Sequence, residues 1–161
     1  MSVIVYTDGS AKGNPGNGGY GIVMISGKYR KEFSMGFKLT TNNRMELLSV
    51  IVALENLKIS NVNVKIFSDS KYVVDSVEKG WVFNWEKNFF KKKKNSDLWI
   101  RFLKVYKMHD VSFVWVKGHS NIKENERCDY LAVKAAESPS LKNDIWYEKN
   151  VANKGSNDLF S

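Results

Sequence analysis

The segment Thr41–Leu57, TNNRMELLSVIVALENL, carries apolar residues on almost every turn. Leu47, Val50, Ile51, Leu54 and Leu57 make one stripe, and Leu48, Val52 and Ala53 widen it, which predicts a helix buried on most of its surface. Three apolar runs precede it, Val3–Thr7, Tyr20–Ser26 and Tyr29–Leu39, and Val62–Ser68 follows. A strand–helix–strand crossover pairs its strands in parallel. The earlier runs are joined by GNPGNGG and by the tight Gly27-Lys28, links that suit antiparallel neighbours. Short helices over Ser70–Glu78 and Ser96–Lys107, a strand at Val111–Val116 and a helix over Glu124–Glu137 complete the pattern. The expectation is an α/β chain with a five-stranded mixed sheet flanked by helices.

The 161 residues suffice for one domain with a real core, and 43% hydrophobic and 13% aromatic content argue against disorder. No apolar run approaches the roughly 20 residues of a membrane span, and no signal segment precedes the first strand, so a cytoplasmic protein is expected. The single Cys128 has no intrachain partner, which fits a reducing compartment. Lys and Arg number 25 against 17 Asp and Glu, a net charge of +8 that suits a polyanionic partner or simple solubility equally well. Residues 138–161 are polar without clear periodicity and read as an extension; Trp146 and Tyr147 are placed to dock, and the end is expected to be loose from about Asn150.

Four acids break local rules. Asp8 ends an apolar strand, where a carboxylate is costly unless something pairs with it, and nothing positive lies beside it. KIFSDS repeats the pattern of IVYTDGS, so Asp8 and Asp69 stand at the same edge of two parallel strands, the edge where open α/β sheets bind ligands. Glu46 borders the buried side of its helix, and Asp129 follows Cys128 near Leu131, Ala132 and Val133. Each has an ordinary alternative: Glu46 in a capping box begun by Asn43, Asp69 as a helix cap, Asp129 paired with Arg127 or Lys134. Four acids brought together would repel one another unless cations joined them. An all-oxygen cluster suits magnesium or manganese, and two such ions roughly 4 Å apart can clamp a phosphodiester for in-line hydrolysis.

The motifs TDGS, GNPGNGGYG, TTNNRMELLSVIVALE, SDSKYV, DLW and WVKGHSNIKENERCDYLA, in that order over roughly Val3–Glu137, resemble a type 1 ribonuclease H. The resemblance implies a ribonuclease H fold over 1–137 and endonucleolytic cutting of the RNA strand of RNA–DNA hybrids, leaving 5′-phosphate and 3′-hydroxyl ends. It implies that Asp8, Glu46, Asp69 and Asp129 are catalytic metal ligands for two Mg²⁺ ions, with Mn²⁺ as a substitute. By the same resemblance, Asp8 and Asp69 would be shared between the ions, the second held mainly by Asp8 and Asp129 and the first also involving Glu46. One metal would activate a water and the other would stabilise the leaving 3′-oxygen. His119, in GHSN, matches a family histidine that assists proton transfer or product departure. Cys128 reads as core.

The resemblance also implies a substrate surface. Backbone groups of Gly9, Ser10 and Ala11 and the amides of Asn14, Asn42 and Asn43 match contacts to the minor groove, where the 2′-hydroxyl is offered. Tyr72 and Trp81 match an aromatic channel beside the DNA strand, and Thr41 and Asn95 a pocket for a DNA phosphate. Leu39 stands where many relatives carry Arg, and Lys71 replaces a common glutamine. NWEKNFFKKKKN resembles a shortened basic protrusion in which Lys91, Lys92, Lys93 and Lys94 meet backbone phosphates. A monomer with no membrane partner is expected. The same architecture hosts transposases, integrases and resolvases, and a hybrid-binding protein without catalysis is the alternative from another class. The asparagine set and the presence of all four acids with His119 favour the hybrid-cleaving enzyme.

Overall fold

The computed structural model describes residues 1–152. Three antiparallel strands, β1 (Ser2–Lys12), β2 (Gly16–Ser26) and β3 (Tyr29–Thr40), are followed by helix α1 (Asn42–Glu55). Strand β4 (Asn63–Ser68), helices α2 (Lys71–Glu78), α3 (Trp81–Lys87) and α4 (Ser96–Tyr106), strand β5 (Asp110–Trp115) and helix α5 (Lys123–Ala136) come next. A single turn, α6 (Ile145–Tyr147), runs into a π-helical turn, Glu148–Ala152. The sheet order is β3-β2-β1-β4-β5, with β4 parallel to both β1 and β5. This is the five-stranded mixed sheet expected from the sequence. The first half of the lysine-rich segment adds a helix, α3, that the sequence pattern did not separate out. Among the described residues no helix is long and apolar enough to cross a membrane.

The two faces of the sheet follow from the alternation along β2. Tyr20 and Ile22 point into the main core, with Leu47, Val50, Ile51 and Leu54 of α1 and Trp99 and Phe102 of α4. Gly19 and Gly21 point the other way, onto α5. A Cβ at Gly21 would lie 2.8 Å from the Leu131 Cβ and 3.0 Å from the Ala132 amide nitrogen. The missing side chain therefore lets α5 settle directly on the strand, opposite Asp8, the residue that pairs with Gly21.

The N-terminus of α1 is capped by Thr41, whose hydroxyl accepts from the Arg44 amide at 3.2 Å, so neither Asn42 nor Asn43 is the cap. Arg44 is 1% exposed and forks between two carboxylates. Its Nη1 and Nη2 reach Asp97 at 2.8 and 2.7 Å, while Nε and Nη2 reach Asp144 at 2.7 and 2.9 Å. Burial works against the guanidinium charge, and the two carboxylates outweigh it. Asp144 also accepts from the Thr40 hydroxyl at 2.7 Å. Tyr147 is buried, and Trp146 and Tyr147 pack around the same guanidinium, 5.2 and 5.8 Å from it. The loose end expected beyond Asn150 falls mostly on residues outside those described.

Gly21→Ala is expected to cost about 1–3 kcal/mol in urea unfolding, because α5 must lift to admit the methyl group. An unchanged midpoint would mean that the close seating of α5 is not required.

Candidate active site

Asp8 and Asp69 sit two residues beyond the paired Tyr6 and Phe67 on adjacent parallel strands, so the register brings them to one level at one edge. Glu46 arrives from α1. The Gly9 amide is the hinge between them, donating to Asp8 Oδ1 at 2.9 Å and to Glu46 Oε1 at 2.8 Å. Only glycine permits that approach, since a Cβ there would fall 2.6 Å from the Met45 carbonyl carbon and 2.9 Å from the Glu46 Cα. Carboxylate oxygens of Asp8, Glu46 and Asp69 all lie within 4.8 Å of one another. Asp129, from α5, lies outside that tight group but lines the same cleft of about 470 Å³.

The ordinary alternatives for these acids are filled by other residues. Ser70 caps α2 by accepting from the Val73 amide at 3.2 Å. Arg127 binds Glu32 through two hydrogen bonds of 2.9 Å, and Lys134 stands 4.0 Å from Glu137. Cys128 is fully buried beside Asp129, its thiol donating to the Tyr6 carbonyl at 3.2 Å and pushed up in pKa by burial, as a core cysteine should be.

The cluster is electrostatically uncomfortable. Burial pushes the Asp8 carboxyl up to about 7, with the charges of Asp69 and Asp129 adding to the rise and a hydrogen bond with Glu46 opposing it. Burial drives Glu46 well above the ordinary carboxylate range, and the Asp8 charge pushes the same way. Asp69 is raised by burial and by Asp129, while His119 acts in the opposite sense. Glu46 Oε2 is buried with no hydrogen-bond partner. An orphaned oxygen, an all-oxygen donor set and clustered carboxyls with raised pKa values fit a hard divalent cation.

Around the acids, Gly9, Ser10, Asn42, Asn43, Lys71 and Tyr72 line the cleft, while Ala11 lies farther along β1. Asn14 Oδ1 accepts from the Asn42 amide at 3.0 Å, joining the β1–β2 turn to the start of α1. His119 is exposed in the loop before α5, with a left-handed backbone, φ 57°. A second cavity of about 490 Å³ adjoins α1, and Asn14, Thr41, Asn43, Asn95 and Lys92–Lys94 contribute to it. Lys91 lies with Lys92 and Lys93 beside Trp85 in a neighbouring groove. Asn95 accepts from Arg44 at 3.3 Å and donates to the Tyr72 hydroxyl at 3.0 Å, linking the second cavity to the first. Trp81 stands apart from both cavities, 44% exposed at the start of α3.

Three participants were not singled out from sequence. Trp115 donates its indole N–H to the Asp69 carbonyl at 3.2 Å, and Lys71 Nζ lies 4.2 Å from the centre of the same ring. For Arg44 the available signal was a cation inside an apolar helix. Asp144, in a featureless polar stretch, carried no such signal.

The RNase H family model matches residues 1–137. The ribonuclease H of Trichodesmium erythraeum is 52% identical over 91% of this chain and 96% of its own length. That of Desulforamulus reducens is 53% identical over 89% of this chain and 92% of its own. Among solved structures, LC9-RNase H1, a type 1 RNase H, has a TM-score of 0.78 at 29% identity, covering 96% of this chain and 84% of that one. LC11-RNase H1, solved in complex with RNA/DNA hybrid, has a TM-score of 0.64 at 28% identity, covering 84% of this chain and 96% of that one. With the carboxylate cleft set on this sheet and matches of this extent, the chain belongs to the ribonuclease H family.

Proposed function

We propose that the chain hydrolyses the RNA strand of RNA–DNA hybrids, with Asp8, Glu46, Asp69 and Asp129 holding divalent cations, Mg²⁺ in the first place and Mn²⁺ as a substitute. The observation that carries this reading is the meeting of carboxylates from β1, α1 and the end of β4 within 4.8 Å, with one buried oxygen left unpartnered. Bound there, the cations would activate a water and stabilise the leaving 3′-oxygen, giving 5′-phosphate and 3′-hydroxyl ends.

The chain's own residues do the rest. Gly9 fixes the orientation of Asp8 and Glu46 through one amide, and Trp115 holds the backbone at Asp69. In this reading His119, exposed in the loop before α5, carries a proton between the site and solvent. The amides of Asn14, Asn42 and Asn43 and the backbone of Gly9–Ala11 offer both donors and acceptors to minor-groove edges and the 2′-hydroxyl. Thr41 and Asn95 take a DNA phosphate, Tyr72 and Trp81 flank the DNA strand, and Lys91–Lys94 add charge along the backbone. The enzyme works as a cytoplasmic monomer.

Matched RNA–DNA, RNA–RNA and DNA–DNA duplexes incubated with magnesium, manganese or chelator test the reading together. Only the RNA strand of the hybrid should be cut, only with metal, and Asp8→Asn should abolish cutting; retention of hybrid without cleavage would favour a binding protein.

Protonation gives a second test. Because Asp8 is raised when folded, the native chain holds more protons than the unfolded chain above the ordinary carboxylate range. Stability of the metal-free protein should therefore fall as pH climbs from the ordinary carboxylate range through about 7, with the raised Glu46 adding to the fall. Added magnesium should raise Tm more at pH 8 than at pH 5, since the ion binds the deprotonated acids. Asp8→Asn should flatten both trends; a pH-independent Tm would contradict the coupling.

Neutralising Lys91–Lys94 together should raise KM and flatten its salt dependence while leaving turnover at saturation close to that of the parent. Initial rates across a salt series measure it, and an unchanged slope would remove these lysines from the interface.

A further inference from the structure

The RNase H family model ends at residue 137, yet residues 138–152 are built into the domain. The Lys38 amide donates to the Lys142 carbonyl and the Lys142 amide to the Gly36 carbonyl, both at 2.8 Å, so the returning segment is stitched to β3. Asp144 then locks it through Thr40 and the buried Arg44. Lifting the segment would leave that guanidinium short of a partner, which makes its position firm.

This anchorage sets Trp146 and Val151 into the wall of the second cavity, which Thr41, Asn95, Lys92 and Lys93 also line. The indole of Trp146 is half-buried, steadied by the Arg44 guanidinium 5.2 Å from its centre. Lysine charge with a hydroxyl and an amide suits a phosphate, and an aromatic face beside them suits the sugar or base attached to it.

We propose that the segment Leu141–Ala152 is part of the substrate-binding surface and that Trp146 packs against the sugar–phosphate backbone of the hybrid's DNA strand in this cavity. The proposal rests on the hybrid being the substrate. It assigns to residues beyond the family model's 1–137 a share of the grip on the strand that is not cut.

The test uses the full chain carrying Asp8→Asn, a labelled RNA–DNA hybrid and magnesium. Hydroxyl-radical oxidation of Trp146, read by mass spectrometry, should fall several-fold when hybrid saturates the protein. Trp146→Ala in the same background should weaken hybrid binding about fivefold by anisotropy, and Trp146→Phe should restore most of it. Hybrid that binds while Trp146 oxidises at an unchanged rate would overturn the proposal, and the footprint decides even if the alanine variant folds poorly. Equal affinity of a folded Trp146→Ala chain would also overturn it while leaving hybrid as the substrate. Failure of the Asp8→Asn chain to bind hybrid at all would instead defeat the substrate reading, and this proposal with it.

Discussion

A single backbone amide, that of Gly9, serves two carboxylates at once, and the arrangement of the site follows from it. To share one donor, Asp8 and Glu46 must come from elements packed closer than any side chain allows, so β1 and α1 meet at a glycine. The same approach strips both acids of water. A donor shared between two carboxylates offsets only part of that loss, and the raised pKa values of Asp8 and Glu46 express the remainder. The cluster is thus held together by packing against its own repulsion, an arrangement that favours a cation over a proton once the pH permits.

Much of this was legible in the sequence because the informative residues violate local preferences. Asp8 at the end of an apolar strand and its echo at Asp69 pointed to one sheet edge, and the parallel register of β1 and β4 makes that geometric. The glycine-rich β2, read only as a turn signal and a strand, also carries the seat for α5, because close contact between elements leaves no mark except missing side chains. Glu46 and Asp129 stood out only as acids beside apolar neighbours in their helices, each with an ordinary alternative, and the resemblance supplied the roles expected of them. The tight group of three and the slightly more distant Asp129 differ in a way no spacing could express.

What escaped sequence reading shares one cause. Asp144, Trp115 and the Arg44 network act through contacts between segments with no periodic relation to one another. Arg44 joins α1 to Asp97 at the start of α4 and to Asp144 near the end of the described chain, and it also touches Asn95, which in turn touches Tyr72. A cation among leucines hints at buried partners but does not say which carboxylates answer it. The left-handed backbone at Asn95 and His119 is equally silent in a linear reading.

The carboxylates come from residues 8, 46, 69 and 129, so the cleft draws on nearly the whole length of the matched domain. Synthesis runs from the first residue towards the last, and α5 is the final large element to be made. A nascent chain can therefore possess its sheet and most of its core while the wall of the cleft that Asp129 supplies is still missing. Completion of the cleft is thereby postponed until folding is almost finished, and truncated products of interrupted translation lack its last carboxylate.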